Sequence, residues 1–200
     1  VLLLGKETDT QDITGTVLKE CDPSEITEET AKKCIESFIG EYDQIPPMYS
    51  ALKVNGKKLY ELAREGKVVE RKSRKVQIYD IRIKEMKLPR IRMEVSCSKG
   101  TYIRTLCNDV GEVLGVGGCM ESLLRTKVSR FELKDSMKLA DIEKAKNEGR
   151  TEEIILPLDE VFVEYPKIIV TGRQAQLAYN GNPFPKESAK NLILPGKDGG

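Results

Sequence analysis

RIRMEVSCSKGTYIRTLCNDVGEVLG, residues 90–115, carries two periods in one run. From Arg90 to Cys97, the apolar residues Ile91, Met93, Val95 and Cys97 alternate with Arg90, Arg92, Glu94 and Ser96, the pattern of a strand with one buried face. After Ser98-Lys99-Gly100 the period changes. Ile103, Leu106, Cys107, Val110 and Leu114 fall on one stripe of a helix that Gly115 ends. A strand therefore passes directly into a helix. Arg104 stands in that helix's first turn, where the backbone dipole opposes a cation by roughly 0.3–1 kcal/mol. Two placements offset so small a cost. Either a carboxylate faces the guanidinium in a charge-assisted, bidentate bond, or the side chain reaches into water. Tyr102 either presents its ring to a flat ligand such as a nucleobase or packs in the core with its hydroxyl satisfied. Lys99 and Gly100 put an ammonium and exposed amides in the turn, where a phosphate would be held.

Working outward, Val1 to Leu4 and Gly15 to Lys19 read as two strands of a hairpin joined by the polar stretch from Gly5 to Asp12. Thr27 caps a helix whose apolar positions Ala31, Cys34, Ile35, Phe38 and Ile39 run to Gly40. Pro46-Pro47 forces an extended chain, and Asn55-Gly56 sets a tight turn between a short strand, Ser50 to Val54, and a helix from Lys57 to Glu65. Lys75 to Lys84 is a strand whose apolar parity passes through Val76 and Ile78 and then shifts to Tyr79, Ile81 and Ile83, which predicts a bulge near Tyr79. Beyond Gly115 the sequence predicts a strand-like stretch from Met120 to Phe131, a helix over Leu139 to Lys146 and a linker. Past Pro166 it predicts one more strand and a capped helix in KIIVTGRQAQLAYNG, followed by a tail from Asn182 rich in Pro, Gly and Lys. Alternating strands joined by short turns, with helices between them, predict an α+β fold with a mixed, mainly antiparallel sheet.

Of the 200 residues, 39% are hydrophobic, enough for a core. No apolar run approaches the roughly eighteen residues needed to cross a bilayer. The first residues lack the basic lead and cleavage site of a signal peptide, and with no initiating Met the chain reads as part of something longer. Cys21, Cys34, Cys97, Cys107 and Cys119 are odd in number and widely spaced, which predicts buried thiols in a reducing cytosol rather than a zinc site. The sequence has no His, so the commonest general base and metal ligand is missing. The net charge of +1 conceals an uneven distribution. Residues 1–52 carry 4 basic and 11 acidic side chains, whereas residues 53–92 carry 14 basic and 5 acidic. Such a local excess is what phosphate backbones select, although a solvated face has the same composition. Lys53, Lys57, Lys58, Arg64, Arg71, Lys72, Arg74 and Lys75 are too many for one specific contact and suit collective neutralisation of phosphates. Asp9 and Asp12 admit a glycosidase-like acid and base pair, yet their short spacing in a polar turn fits better with side chains capping their own backbone.

Four stretches, TDTQDITG, QIPPMYSALKVNGKKLYELAREG, CSKGTYIRTLCNDVGEVLG and ESLLRTKVS, in this order and at these separations, resemble the bacterial tRNA pseudouridine synthases that isomerise the T-loop uridine. YPKIIVTGRQAQLAYNG resembles the start of that family's small C-terminal RNA-binding domain, and the likeness covers about residues 1 to 184. The resemblance implies a cofactor-free, metal-free reaction on the T-arm of tRNA in the cytoplasm. The uridine is flipped out, an Asp attacks the nucleotide, the bond to N1 breaks, the uracil turns, and C5 is joined to the sugar. It further implies that Arg104 pairs with the catalytic Asp and that Tyr102 and Leu123 line the base pocket, while Lys53, Lys57, Lys58 and Lys99 are the candidates for holding RNA. The family's Gly-Thr-Leu-Asp-Pro stretch, a nearby His and a base-stacking Tyr have no counterpart in this sequence. The chain thus resembles the family's protein without its N-terminal third, and is expected to be inactive alone. The expected organisation is a truncated catalytic domain over residues 1–160 and an RNA-binding unit over residues 165–200, in a monomer with self-association through an exposed sheet edge left open. A non-catalytic RNA-binding module of the same fold is the alternative.

Overall fold

Leu2–Leu4 (β1) is buried along its whole length because it has a strand on either side. The computed structural model describes residues 1–185 and 192–193. They fall into two compact units, Val1–Arg125 and a second beginning at Thr126. The boundary read from the sequence near Tyr165 lies inside the second.

In the first unit, β1 is followed by Lys6–Thr8 (β2) and Val17–Glu20 (β3), which pair with each other. The hairpin expected between Val1–Leu4 and Gly15–Lys19 is therefore corrected. The polar Lys6–Thr8 is the partner, and the apolar Leu2–Leu4 goes to the sheet, where its three leucines are buried. Glu28–Glu36 (α1) starts at Thr27, whose Oγ1 accepts from Thr30 N at 3.2 Å. It stops short of the expected Gly40, because the Ser37 hydroxyl donates to the Cys34 carbonyl at 2.6 Å and Gly40, at φ +117°, lets the chain turn into Gly40–Gln44 (β4). Lys53–Val54 (β5) and Lys57–Lys58 (β6) flank the Asn55-Gly56 turn, whose two positive φ angles, 51° and 82°, are those of a two-residue hairpin. The pairing takes up Lys57 and Lys58, so the next helix, Leu59–Arg64 (α2), begins two residues later than its sequence suggests.

Arg74–Lys87 (β7) is a long strand whose register against Arg90–Cys97 (β8) shifts between Ile78 and Asp80, at the bulge predicted near Tyr79, and again between Ile83 and Glu85. Ile103–Val113 (α3) follows the β8 turn and leads to Gly118–Met120 (β9). The main sheet runs β4-β7-β8-β1-β9, with every neighbouring pair antiparallel. Leu2, Leu4, Ile78, Ile81 and Ile91 of the sheet meet Ala31 and Ile35 of α1 and Leu106, Cys107 and Val110 of α3 in one buried cluster. A smaller cluster, formed by Met48, Leu59 and Leu62, lies within the segment between β4 and β7 and shares no residue with the first.

In the second unit, Lys127–Val128 (β10) and Phe131–Glu132 (β11) form a short hairpin. The strand expected from Met120 to Phe131 is thus broken up, since residues 121–126 pair with nothing regular. Leu139–Asn147 (α4), Leu158–Val161 (α5), Lys167–Ile168 (β12), Gly172–Tyr179 (α6) and Leu192–Ile193 (β13) follow, with β12 and β13 paired. Residues 186–191 and 194–200 of the tail lie outside the described residues. Among the described residues no helix is long and apolar enough to cross a membrane.

Candidate functional site

The turn that joins β8 to α3 is held by a reciprocal bond of Ser98 with β7 and by a bond within the turn. Ser98 N donates to the Gln77 carbonyl at 2.8 Å, Gln77 N donates to Ser98 Oγ at 3.0 Å, and Thr101 Oγ1 donates to the Ser98 carbonyl at 2.9 Å. Gly100 takes φ +85° at the corner. Tyr102 is the residue before the first helical turn, and its own side chain caps nothing. The cap comes from across the sheet. Gln44, at the end of β4 and only 1% exposed, accepts from Tyr102 N through Oε1 at 2.8 Å and donates through Nε2 to the Tyr102 carbonyl at 3.0 Å. The same Nε2 donates to the Tyr42 hydroxyl. Behind α3, Thr105 Oγ1 donates to Gln11 Oε1 at 2.7 Å, tying the TDTQD turn to the helix.

One residue into the helix, the Arg104 guanidinium lies 6.0 Å from the centre of the Tyr102 ring and donates to the carbonyl of Tyr49. This backbone partner is a third placement, beside the carboxylate and the water that the sequence left open. Among the described residues Arg104 forms no ion pair. Tyr102 and Arg104 are both half-buried. Leu123 is 52% exposed in the irregular stretch after β9, close to where Val1 N donates to the Ser122 carbonyl at 2.7 Å.

The basic stretch divides into two parts. From Lys75 onward its cations are largely neutralised within the fold, Lys75 by Glu41, Arg82 by Asp80, Lys84 by Glu94 and Arg90 by Glu121. From Lys53 to Arg74, among the described residues, only Lys57 and Lys67 are paired, both with Glu65. The β5–β6 register places Lys53 directly opposite Lys58, a like-charge pair that destabilises a hairpin unless an anion lies between the two. Lys58 Nζ donates to the Tyr60 hydroxyl at 3.2 Å, and Lys57 stands 3.8 Å from Glu65. A cleft beside the hairpin is lined by Pro46, Leu52, Lys53, Arg71, Lys72 and Arg74. There Arg71 Nη1 donates to the Pro46 carbonyl at 3.1 Å while its buried Nε has no partner among the described residues. Lys99 is exposed in the β8–α3 turn.

Asp9 and Asp12 hold their own turn. Asp9 Oδ1 accepts from Thr16 N at 2.8 Å, and Asp12 Oδ1 accepts from Thr14 N at 3.0 Å, as the structural reading of TDTQD expected. The cysteines are free, and burial pushes the Cys107 thiol up to about 12. Burial also raises Tyr42, with the charge of Asp109 adding to it. Gln44 and Tyr49 are the residues that sequence reasoning passed over. Gln44 had one signal, its even spacing from Tyr42 within GEYDQ, which puts both on one face of a strand.

The fold has counterparts among solved structures. It matches the chain in "Crystal Structure of a Cbf5-Nop10-Gar1 Complex" with a TM-score of 0.61 over 91% of this chain and 47% of that one, at 23% identity. The chain belongs to the TruB family of pseudouridylate synthases. The profile of the TruB family pseudouridylate synthase (N terminal domain) matches residues 1–103, and that of the tRNA pseudouridylate synthase B C-terminal domain matches residues 104–163. The tRNA pseudouridine synthase B of Lachnoclostridium phytofermentans is 49% identical over 162 residues, and that of Clostridium kluyveri 42% over 196 residues. These alignments cover 77% and 98% of this chain, which spans 53% and 66% of the two relatives.

Proposed function

We propose that this chain carries the RNA-holding and base-positioning part of a cytoplasmic tRNA pseudouridine synthase acting on the T-loop uridine. The observation that carries this reading is the pairing of Tyr102 and Arg104 at the start of α3, a flat ring beside a guanidinium with no carboxylate partner among the described residues. In this reading the flipped uracil lies against Tyr102 and Leu123, and Arg104 orients the aspartate that attacks the nucleotide. Lys53, Lys57, Lys58 and Lys99 hold the phosphates of the T-arm, and the like-charge pair of Lys53 and Lys58 supports that role. The residues from Tyr165 onward add the start of a second RNA contact. No step needs a cofactor. The bond from the sugar to N1 is exchanged for one to C5, the proton lost from C5 is matched by one gained at N1, and the aspartate is released unchanged, so no atom is gained or lost.

None of the Asp residues in the 200-residue sequence follows Thr-Leu, so the nucleophile of this reading is supplied by a Gly-Thr-Leu-Asp-Pro stretch joined ahead of Val1. The test compares the chain with a version extended by that portion of a relative, each incubated with a T-arm hairpin and assayed for pseudouridine by chemical labelling. The expected result is product only from the extended protein. Product from the 200 residues alone would remove the requirement for that aspartate. An extended protein that binds the hairpin but makes no product would favour the non-catalytic RNA-binding module.

A further inference from the structure

Gln44 is a fully buried polar side chain whose amide donates to Tyr42 of its own strand and directs both of its ends to one residue, Tyr102. A carboxamide is the smallest side-chain group that offers an acceptor and a donor side by side, and here they meet the N–H and the C=O of the same residue. Fixing both backbone groups of Tyr102 fixes the direction in which its side chain leaves the chain, and with it the first turn that carries Arg104. The residue is also where β4 gives way to the segment that supplies the Tyr49 carbonyl to Arg104. We propose that Gln44 is a positioning residue for base recognition, which holds the Tyr102 ring at the angle where it lines the pocket of a flipped uracil. This rests on the function proposed above and adds a residue to it that does not itself touch the RNA.

A methionine at this position has nearly the same volume and can make neither bond. A glutamate has the same shape and can make both when it carries a proton, but when ionised it faces the Tyr102 carbonyl with a second acceptor. Burial favours the protonated form, so Gln44→Glu switches from competent to incompetent as pH rises. The titratable and charged groups facing the site are the Tyr42 phenol, beyond it Asp109, Cys97 and Cys107, and the Arg104 guanidinium beside Tyr102, and wild type measured at each pH cancels their contribution.

The experiment uses the 200-residue chain and two T-arm hairpins, one with uridine and one with an abasic sugar at the target position, titrated between about pH 5 and pH 8. Amide hydrogen exchange at Tyr102 and Val110 is followed in parallel. Wild type is expected to protect both amides and to prefer the uridine hairpin. Gln44→Met should lose protection at Tyr102 but not at Val110, and its preference for uridine should fall by about fivefold, the low end of what one base stacked on an aromatic ring contributes. The salt dependence of its binding should be unchanged. Gln44→Glu should behave as wild type at the acid end and as Gln44→Met at the alkaline end. Full preference for uridine in Gln44→Met, or a Gln44→Glu variant impaired equally at every pH, would overturn the assignment. Loss of Val110 protection in both variants at every pH would overturn it as well, by making Gln44 a packing residue of α3. A wild-type chain that does not distinguish the two hairpins would overturn the base-pocket reading itself, and this inference with it.

Discussion

Gly111 on α3 and Gly118 on β9 cross backbone to backbone. A β-carbon on Gly111 would stand 2.1 Å from Gly118 N, and one on Gly118 would stand 2.6 Å from the Cys107 carbonyl oxygen. Gly117 N also donates to the Gly111 carbonyl, at 2.9 Å. The helix that carries Arg104 therefore rests on the sheet with no side chain between them, and neither wall of the contact can turn aside as a side chain would.

Gly111→Ala is expected to lower the stability of the first unit by about 3 kcal/mol, the upper part of the usual cost of overpacking, despite alanine's better helix propensity. The exposed neighbour change Glu112→Ala should stay within about 0.5 kcal/mol of wild type. Urea unfolding of the two variants checks the contrast, and equal midpoints would mean that the crossing is looser than described.

Burial lifts the Asp109 carboxyl from an ordinary 3.8 to about 6. A hydrogen bond from Asn108 works against the shift, and the charge of Glu112 adds to it. The folded chain thus holds this proton more tightly than the unfolded one, so the penalty for an ionised Asp109 is full above pH 6 and disappears as pH falls towards 3.8. Asp109→Asn should accordingly be more stable than wild type at neutral pH and should lose that advantage on acidification through this window. Unfolding midpoints of both proteins along a pH series measure the difference, and a constant gap would contradict the shift.

If Lys53 and Lys58 each contact a phosphate, reversing both charges should flatten the dependence of binding on salt. The slope of log K against log salt is expected to become shallower by about 1.5, since each lost contact accounts for about 0.7–0.9. Reversing Lys84 and Arg82, which are already paired with Glu94 and Asp80, should change the slope much less. Titrations of a labelled T-arm hairpin at several salt concentrations compare the two, and identical slopes would reduce the Lys53–Lys58 pair to a solvated surface.

In the version extended by the Gly-Thr-Leu-Asp-Pro portion, Arg104→Lys is expected to lower turnover by about a hundredfold, the order of loss that a small misplacement of a reacting group produces. Lysine keeps the charge but cannot donate two parallel bonds to a carboxylate. Single-turnover rates on a T-arm hairpin decide this, with binding of the hairpin measured alongside. A wild-type rate would remove Arg104 from the orienting role.

What was legible in the sequence was local. The passage from β8 into α3, the turn at Asn55-Gly56 and the register shift at Tyr79 each follow from residues within a few positions of one another. The pairing of Leu2–Leu4 with β8 and β9 was not legible, because three leucines name no partner and the partners lie some ninety and more residues away. β4 escaped notice because one of its inward positions is a glutamine, which a hydrophobic pattern scores as outward. Arg104 was found by its awkward place on a helix dipole, yet its partner here is the carbonyl of Tyr49, and a carbonyl belongs to every residue type alike.

Gln44 and Arg74 are opposite each other in the β4–β7 register. Everything between them, from Ile45 to Ser73, leaves the sheet and returns to it at a single pair of hydrogen-bonded residues, and it brings its own small apolar cluster of Met48, Leu59 and Leu62. Such a segment is a cassette. The sheet's strand order is already complete without it, and because the entropy of closing a loop grows only slowly with length, its residue count bears little on the stability of the strands it joins. The basic hairpin it carries can thus be lengthened, shortened or exchanged while the core behind it stays as it is.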